Sequence, residues 1–189
     1  MNRAEAGAEA TLHGVLVDVY GIGVLLLGES GTGKSECALD LVSRGHRLVA
    51  DDVVEIWRDD AGTVTGRGPA RIRHHMEIRG LGIINIREIF GPRSIALEAP
   101  IDLVIRLKKW QRKREFDRLG LRFPEDTPVA GVRVPQMNIP VAPGRNIATL
   151  IEVACKVHLL KRRGYTAALD LSAKLDRAIA RGEGAKAGA

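Results

Sequence analysis

Residues 28–35 read GESGTGKS, the pattern G-x-x-x-x-G-K-[ST], and they stand between an apolar run, Ile22 to Leu27, and a helix-like run, Ser35 to Ser43. That order commits the chain to a buried strand, a tight glycine loop and a helix whose first-turn N–H groups face a phosphate. IGVLLL is short and continuously apolar, as a buried strand requires, and SECALDLVS carries its apolar residues at helical spacing. The glycines let the backbone come close to an anion. Lys34 reaches terminal phosphates and the Ser35 hydroxyl takes a place on Mg²⁺. The nucleotide-binding candidates are therefore Gly28, Glu29, Ser30, Gly31, Thr32, Gly33, Lys34 and Ser35.

The 189 residues suffice for one domain with a sizeable core. Small and polar ends predict a frayed tail at residues 1–12, a domain over 13–180 and a second tail at 181–189. No signal-peptide pattern and no apolar stretch near 18 residues is present, so a cytoplasmic protein away from membranes is expected. Cys37 and Cys155 sit in apolar helical patterns and read as small core residues. A net charge of +6 favours an anionic partner. Nucleic acid ranks low among these, because aromatic residues make up only 4% of the chain, too few for base stacking.

The runs Gly14–Tyr20 and Ile22–Leu27 predict two strands bent at Gly21 or a tight hairpin. The helix after the phosphate loop should end at Gly45, and Arg47–Ala50 and Val53–Trp57 read as strands on either side of Asp51-Asp52. A turn at residues 59–62 and a return strand at Thr63–Thr65 follow. So many strands beside one helix do not give a regular β-α-β alternation, and a mixed, partly antiparallel α/β sheet is expected. Residues 74–85 read as a loop entering a strand or short helix, continuing from Ile86 to Phe90 and stopping at Gly91-Pro92. Ile101–Leu107 is a strand, 108–122 an exposed charged arm, and Val132–Val141, with Pro135 and Pro140, an edge strand or loop. Two helices, Asn146–Leu160 and Ala167–Ile179, close the chain.

A loop that holds ATP needs a carboxylate for Mg²⁺ and a group to orient the attacking nucleophile. Asp51 and Asp52, at a strand end, are the candidates. Neighbours on a strand point to opposite faces, so only one aims at the reaction centre unless the backbone turns there. Glu77 is a second carboxylate with no spacing to distinguish it from an exposed loop charge. His13, before the first strand, reads by itself as a surface or capping residue, and His74-His75 lack the further ligands of a zinc site. The run Lys108, Lys109, Arg112, Lys113, Arg114 and Arg118 reads as a solvated face from which one arginine could reach a transferring group. There is no [NT]-K-x-D segment and no LSGG signature. A transferase leads, with a small-molecule kinase or a non-catalytic nucleotide-sensing or nucleic-acid-binding module as alternatives.

Taken together the chain resembles the catalytic domain of HPr kinase/phosphorylase, a P-loop kinase core with a mixed, partly antiparallel sheet and C-terminal helices. The resemblance rests on His13-Gly14, GESGTGKSE (28–36), RGHRLVADD (44–52), MEIRGLGIIN (76–85), FDRLG (116–120), IPVAPGRN (139–146) and IEVA (151–154), in the family's order. It implies ATP-dependent phosphorylation of a serine on the carrier protein HPr or a paralogue, and reversal by inorganic phosphate with release of pyrophosphate. It further implies that Ser35 and Glu77 serve Mg²⁺, that Asp52 is the base, and that Asp51, His13, Lys34 and Arg118 complete the catalytic group. Met76–Asn85 would support both reactions and Ile139–Gly144 mainly the reverse. Members are commonly homo-oligomers, as hexamers, and usually carry an N-terminal domain with no counterpart in these 189 residues. Two departures stand out: Gln136, where a basic residue is commoner, and CKVHLL after IEVA, where an Asn-containing run is commoner.

Overall fold

The computed structural model describes residues 9–110 and 126–181. Its first strands are β1 (Ala10–His13), β2 (Val15–Val19) and β3 (Ile22–Leu27), followed by helix α1 (Lys34–Ser43) and strands β4 (Arg47–Ala50), β5 (Val53–Arg58) and β6 (Val64–Arg67). Then come the hairpin β7 (His75–Ile78) and β8 (Gly82–Asn85), the short helix α2 (Ile86–Phe90), and strands β9 (Glu98–Pro100) and β10 (Leu103–Lys109). Strands β11 (Thr127–Val129), β12 (Val132–Val134) and β13 (Gln136–Val141) and helices α3 (Ile147–Arg162) and α4 (Ala167–Ala180) complete the order.

Strands buried along nearly their whole length need cover on both faces, and β2, apolar but for Asp18, and β3 are of this kind. Of the two arrangements expected they form the tight hairpin, through a two-residue turn at Tyr20 and Gly21, both of positive φ, and lie inside a five-stranded sheet of order β13-β10-β3-β2-β4. On one face Val15, Val17, Val24 and Leu26 pack with Ala38 and Leu41 of α1 and Ile151 and Cys155 of α3. On the other, Leu16 and Leu25 pack with Val54, Ile56, Val64 and Ala99 of a four-stranded antiparallel sheet, β1-β5-β6-β9. The result is three layers: helices, mixed sheet, second sheet. Pro140 falls in β13, at the edge of the central sheet, where a missing N–H costs no ladder bond.

Two expectations are corrected. Residues 10–12 do not fray: β1 pairs with β5 from Ala10↔Ile56 to His13↔Val53, so backbone pairing holds a stretch too small and half-exposed to announce itself by apolarity. Residues 74–85 form a complete antiparallel hairpin whose Met76 and Ile78 are buried in the helix-side core, rather than a loop. The remainder of the two tails, residues 1–8 and 182–189, and residues 111–125 lie outside the described residues; of the arm expected at 108–122, Lys108 and Lys109 instead extend β10.

The link between α1 and β4 is clamped to α3. Glu152, 16% exposed, receives Arg44 Nη1 at 3.0 Å and the Tyr20 hydroxyl at 3.3 Å, and pairs with buried His46 Nε2 at 3.0 Å. The hydrogen bond from His46, with Arg44 adding to it, holds the Glu152 carboxyl below its ordinary 4.5. Its contribution is therefore complete above that value and lost as pH falls through the lower folded one. Glu152→Ala should cost about 2–3 kcal/mol at pH 7. By denaturant titration, the gap between this variant and the unaltered chain should narrow on going from pH 7 to pH 3.

Candidate active site

Strand directions explain why distant segments meet. β10 and β13 run parallel to β3, while β2 runs antiparallel to both β3 and β4, so β4 points the same way as β3. The loop after β3, the residues after β4, the end of β10 and the residues before β2 all emerge at one edge of the sheet. Ligands of α/β sheets bind at such an edge, beyond the carboxyl ends of the strands.

There the phosphate loop wraps toward α1, whose first-turn N–H groups have no intrahelical acceptors. Lys34 is only 8% exposed, and its ammonium donates to the carbonyls of Gly28 at 3.0 Å and Glu29 at 3.2 Å. Among the described residues no carboxylate pairs with it, so a buried positive charge faces the loop's hollow. The loop's start is fixed by contact: a Cβ on Gly28 would lie 2.7 Å from the Leu107 carbonyl oxygen and 2.9 Å from Thr32 Oγ1. Gly28→Ala must displace the loop from β10, and ATP affinity measured by calorimetry should fall about tenfold or more.

The two aspartates share one cleft. Asp52 adopts φ 67° and Val53 N–H closes onto the Asp51 carbonyl at 2.8 Å, so the chain makes a tight turn between β4 and β5. A left-handed aspartate costs about 1–2 kcal/mol, and here it replaces the strand alternation that would have parted the two side chains. Gly14 N–H donates to the Asp52 carbonyl at 3.0 Å, and His13 Nδ1 meets Asp52 Oδ1 at 3.0 Å. Asp51 accepts from the Ser35 hydroxyl at 2.9 Å. Burial lifts the Asp51 carboxyl above its ordinary range, opposed by the Ser35 hydroxyl and the Glu77 N–H and reinforced by the charge of Asp52. Lys34, Ser35, Asp51, Asp52, Glu77 and His13 line a single cleft of about 380 Å³. An ammonium, a hydroxyl on a buried carboxylate, and an exposed carboxylate steered by a histidine suit transfer of a phosphoryl group to a hydroxyl.

The family model described as HPr Serine kinase C-terminal domain matches residues 5–175. The chain belongs to this family. It is 54% identical over 164 residues to the HPr kinase/phosphorylase of Geobacter sulfurreducens, covering 87% of this chain and 51% of that protein. The corresponding protein of Geobacillus thermodenitrificans is 52% identical over 172 residues, covering 91% and 55%. Among solved structures, the Hpr(Ser) kinase/phosphatase from Coxiella burnetii superposes with a TM-score of 0.76 at 32% identity, covering 88% of this chain and 98% of that one. The chain spans about half the length of the curated relatives it matches.

Of the residues that the family resemblance points to, the structure gathers His13, Lys34, Ser35, Asp51, Asp52 and Glu77 in the cleft, while Arg118 lies outside the described residues. Gln136 in β13 accepts from Arg106 Nε at 3.4 Å. Sequence reasoning missed Arg106 and Ile72, and weighed His75 only as a zinc ligand, a role it set aside. Ile72 and His75 line the cleft, and Arg106 a neighbouring hollow. No signal in the linear sequence could have found Arg106, whose position depends on β10 lying beside β3. For Mg²⁺ the donor set fits: the Ser35 hydroxyl donates a hydrogen bond to Asp51 and keeps its lone pairs free, and Asp51 and Glu77 add hard oxygen donors. Among the described residues no three or more His, Cys, Asp or Glu side chains enclose a metal.

Proposed function

We propose that the chain is an ATP-dependent protein-serine kinase acting on HPr or a paralogue of it, and that it also runs the reverse reaction with inorganic phosphate. The observation that carries this reading is the Asp52–His13 pair in the same cleft as Lys34 and Ser35. The names of the relatives supply the substrate.

In the forward direction the loop amides and Lys34 hold the polyphosphate, and Asp52 takes the proton of the seryl hydroxyl as its oxygen bonds to the γ-phosphorus and the bond to the β-phosphate oxygen breaks. His13 donates to Asp52 and fixes the carboxylate's orientation. Ser35, Asp51 and Glu77 would hold Mg²⁺, which when bound neutralises charge on the phosphate oxygens. In reverse, the loop holds inorganic phosphate, whose oxygen bonds to the phosphorus of phosphoserine. Pyrophosphate leaves and Asp52 returns its proton to the seryl oxygen. Arg118 is assigned a charge-stabilising role on the family resemblance alone. A homo-oligomer, a hexamer by the same resemblance, is supported by α4, which buries no side chain and leaves Leu171, Leu175 and Ile179 exposed.

The test is to incubate the chain with Mg-ATP and HPr and to map modified residues by mass spectrometry. One phosphoserine on HPr supports the assignment, and ATP consumption with no protein acceptor would favour a small-molecule kinase instead.

A further inference from the structure

The phosphate loop has a second hollow on its other flank, of about 350 Å³, lined by His13, Glu29, Arg106, Lys108 and Lys109. Its basic wall follows from strand geometry. β10 is in register with β3 at Arg106↔Leu27, and period-two alternation places Arg106 and Lys108 on one face while buried Leu107 turns to the other. Arg106 is braced by a neutral group, the Gln136 carbonyl oxygen, whose amide nitrogen lies 3.5 Å from Asn138 Oδ1. Lys109 is offset by Glu29 at 3.6 Å, and that pair is largely exposed. Among the described residues Arg106 and Lys108 face no carboxylate at ion-pair distance, so the hollow keeps a net positive charge.

His13 is the wall common to both hollows. The leaving polyphosphate follows the amides of Ser30–Ser35, on the α1 side of the loop. In-line transfer requires the attacking oxygen to arrive from the opposite side, past His13 and Asp52. Because His13 lines both hollows, an acceptor that reaches Asp52 past His13 lies beside the Arg106–Lys108 wall.

We propose that this hollow is an acceptor-side anion subsite, in which Arg106 and Lys108 receive a carboxylate carried by the acceptor protein near its reactive serine. The inference rests on the kinase reading above and names what selects its protein substrate. Gln136 belongs to it as the residue that positions Arg106. A basic side chain there would repel the guanidinium instead of bracing it.

The experiment measures steady-state phosphorylation of HPr by the full chain and by the double variant Arg106→Gln, Lys108→Gln, at low salt and at 0.3 M salt. The expected result is a rise of about tenfold or more in KM for HPr at low salt, about 1.4 kcal/mol, with KM for ATP changed less than twofold. The steep rise of KM with salt expected of the unaltered chain should flatten in the double variant. Lys108→Arg should restore most of the affinity, and thermal unfolding separates this loss from misfolding. An unchanged KM for HPr in an active, folded double variant overturns the subsite and leaves the kinase reading intact. A parallel rise in KM for ATP also overturns it, and gives the hollow to the nucleotide. No transfer to HPr by the unaltered chain overturns the kinase reading and the subsite together.

Discussion

Asp52→Asn is expected to leave ATP binding within a few-fold of the unaltered chain and to lower the rate of serine phosphorylation by roughly 10²–10⁴-fold. The amide preserves the shape of the side chain and still accepts from His13 Nδ1, now 3.0 Å from Asp52 Oδ1, so the cleft should keep its form. What it loses is the capacity to take a proton. Removing a negative charge beside a polyphosphate should also tighten ATP slightly rather than weaken it. Calorimetric ATP binding and rapid-quench measurement of phosphoserine separate the two effects. A near-normal transfer rate in this variant would remove Asp52 from the base's role. Asp51→Asn differs, because Asp51 is buried and bonded to Ser35, and its main effect should be a higher Mg²⁺ requirement.

Lys34→Ala should weaken both directions together. The side chain is 8% exposed and its ammonium spans the loop from Gly28 to Glu29, so truncation removes the loop's buried charge and also frees two carbonyl oxygens. A charged hydrogen-bond donor at such a site contributes about 2–3 kcal/mol, which corresponds to roughly a hundredfold in affinity. Because the same loop would hold the γ-phosphate of ATP or free inorganic phosphate, affinity for both should fall by similar factors. Parallel calorimetry with ATP and with phosphate reads this directly. Loss of one with retention of the other would mean that the two anions occupy different places.

Some of this was legible in the linear sequence because single rules applied. The glycine loop between IGVLLL and SECALDLVS declared a strand, a turn and a helix, and all three formed. Pro135 and Pro140 kept Val132–Val141 out of the sheet's centre, as an edge strand or loop, and β13 is an edge strand; Asn146, accepting from Thr149 N–H at 2.9 Å, begins α3 as a capping residue should. The site was less legible. Whether Asp51 and Asp52 face one cleft depends on a backbone angle, φ 67° at Asp52, which no residue pattern encodes. The company of His13 depends on β2 lying between β3 and β4 in antiparallel sense, a matter of strand order. Local propensity also failed at β1, where pairing with β5 outweighs a sequence of small, half-exposed residues. Arg106 and Gln136 are thirty positions apart and meet because β10 and β13 are parallel neighbours.

The central claim is that one loop and one aspartate pass a phosphoryl group between a polyphosphate and a protein serine in both directions. It is tested most directly by following a label from the γ-position of ATP. With Mg²⁺ and HPr the label should appear on a serine of HPr, and after ATP is removed and inorganic phosphate added it should move into pyrophosphate. Label that never reaches HPr, or that leaves phosphoserine only as free phosphate, would contradict the account.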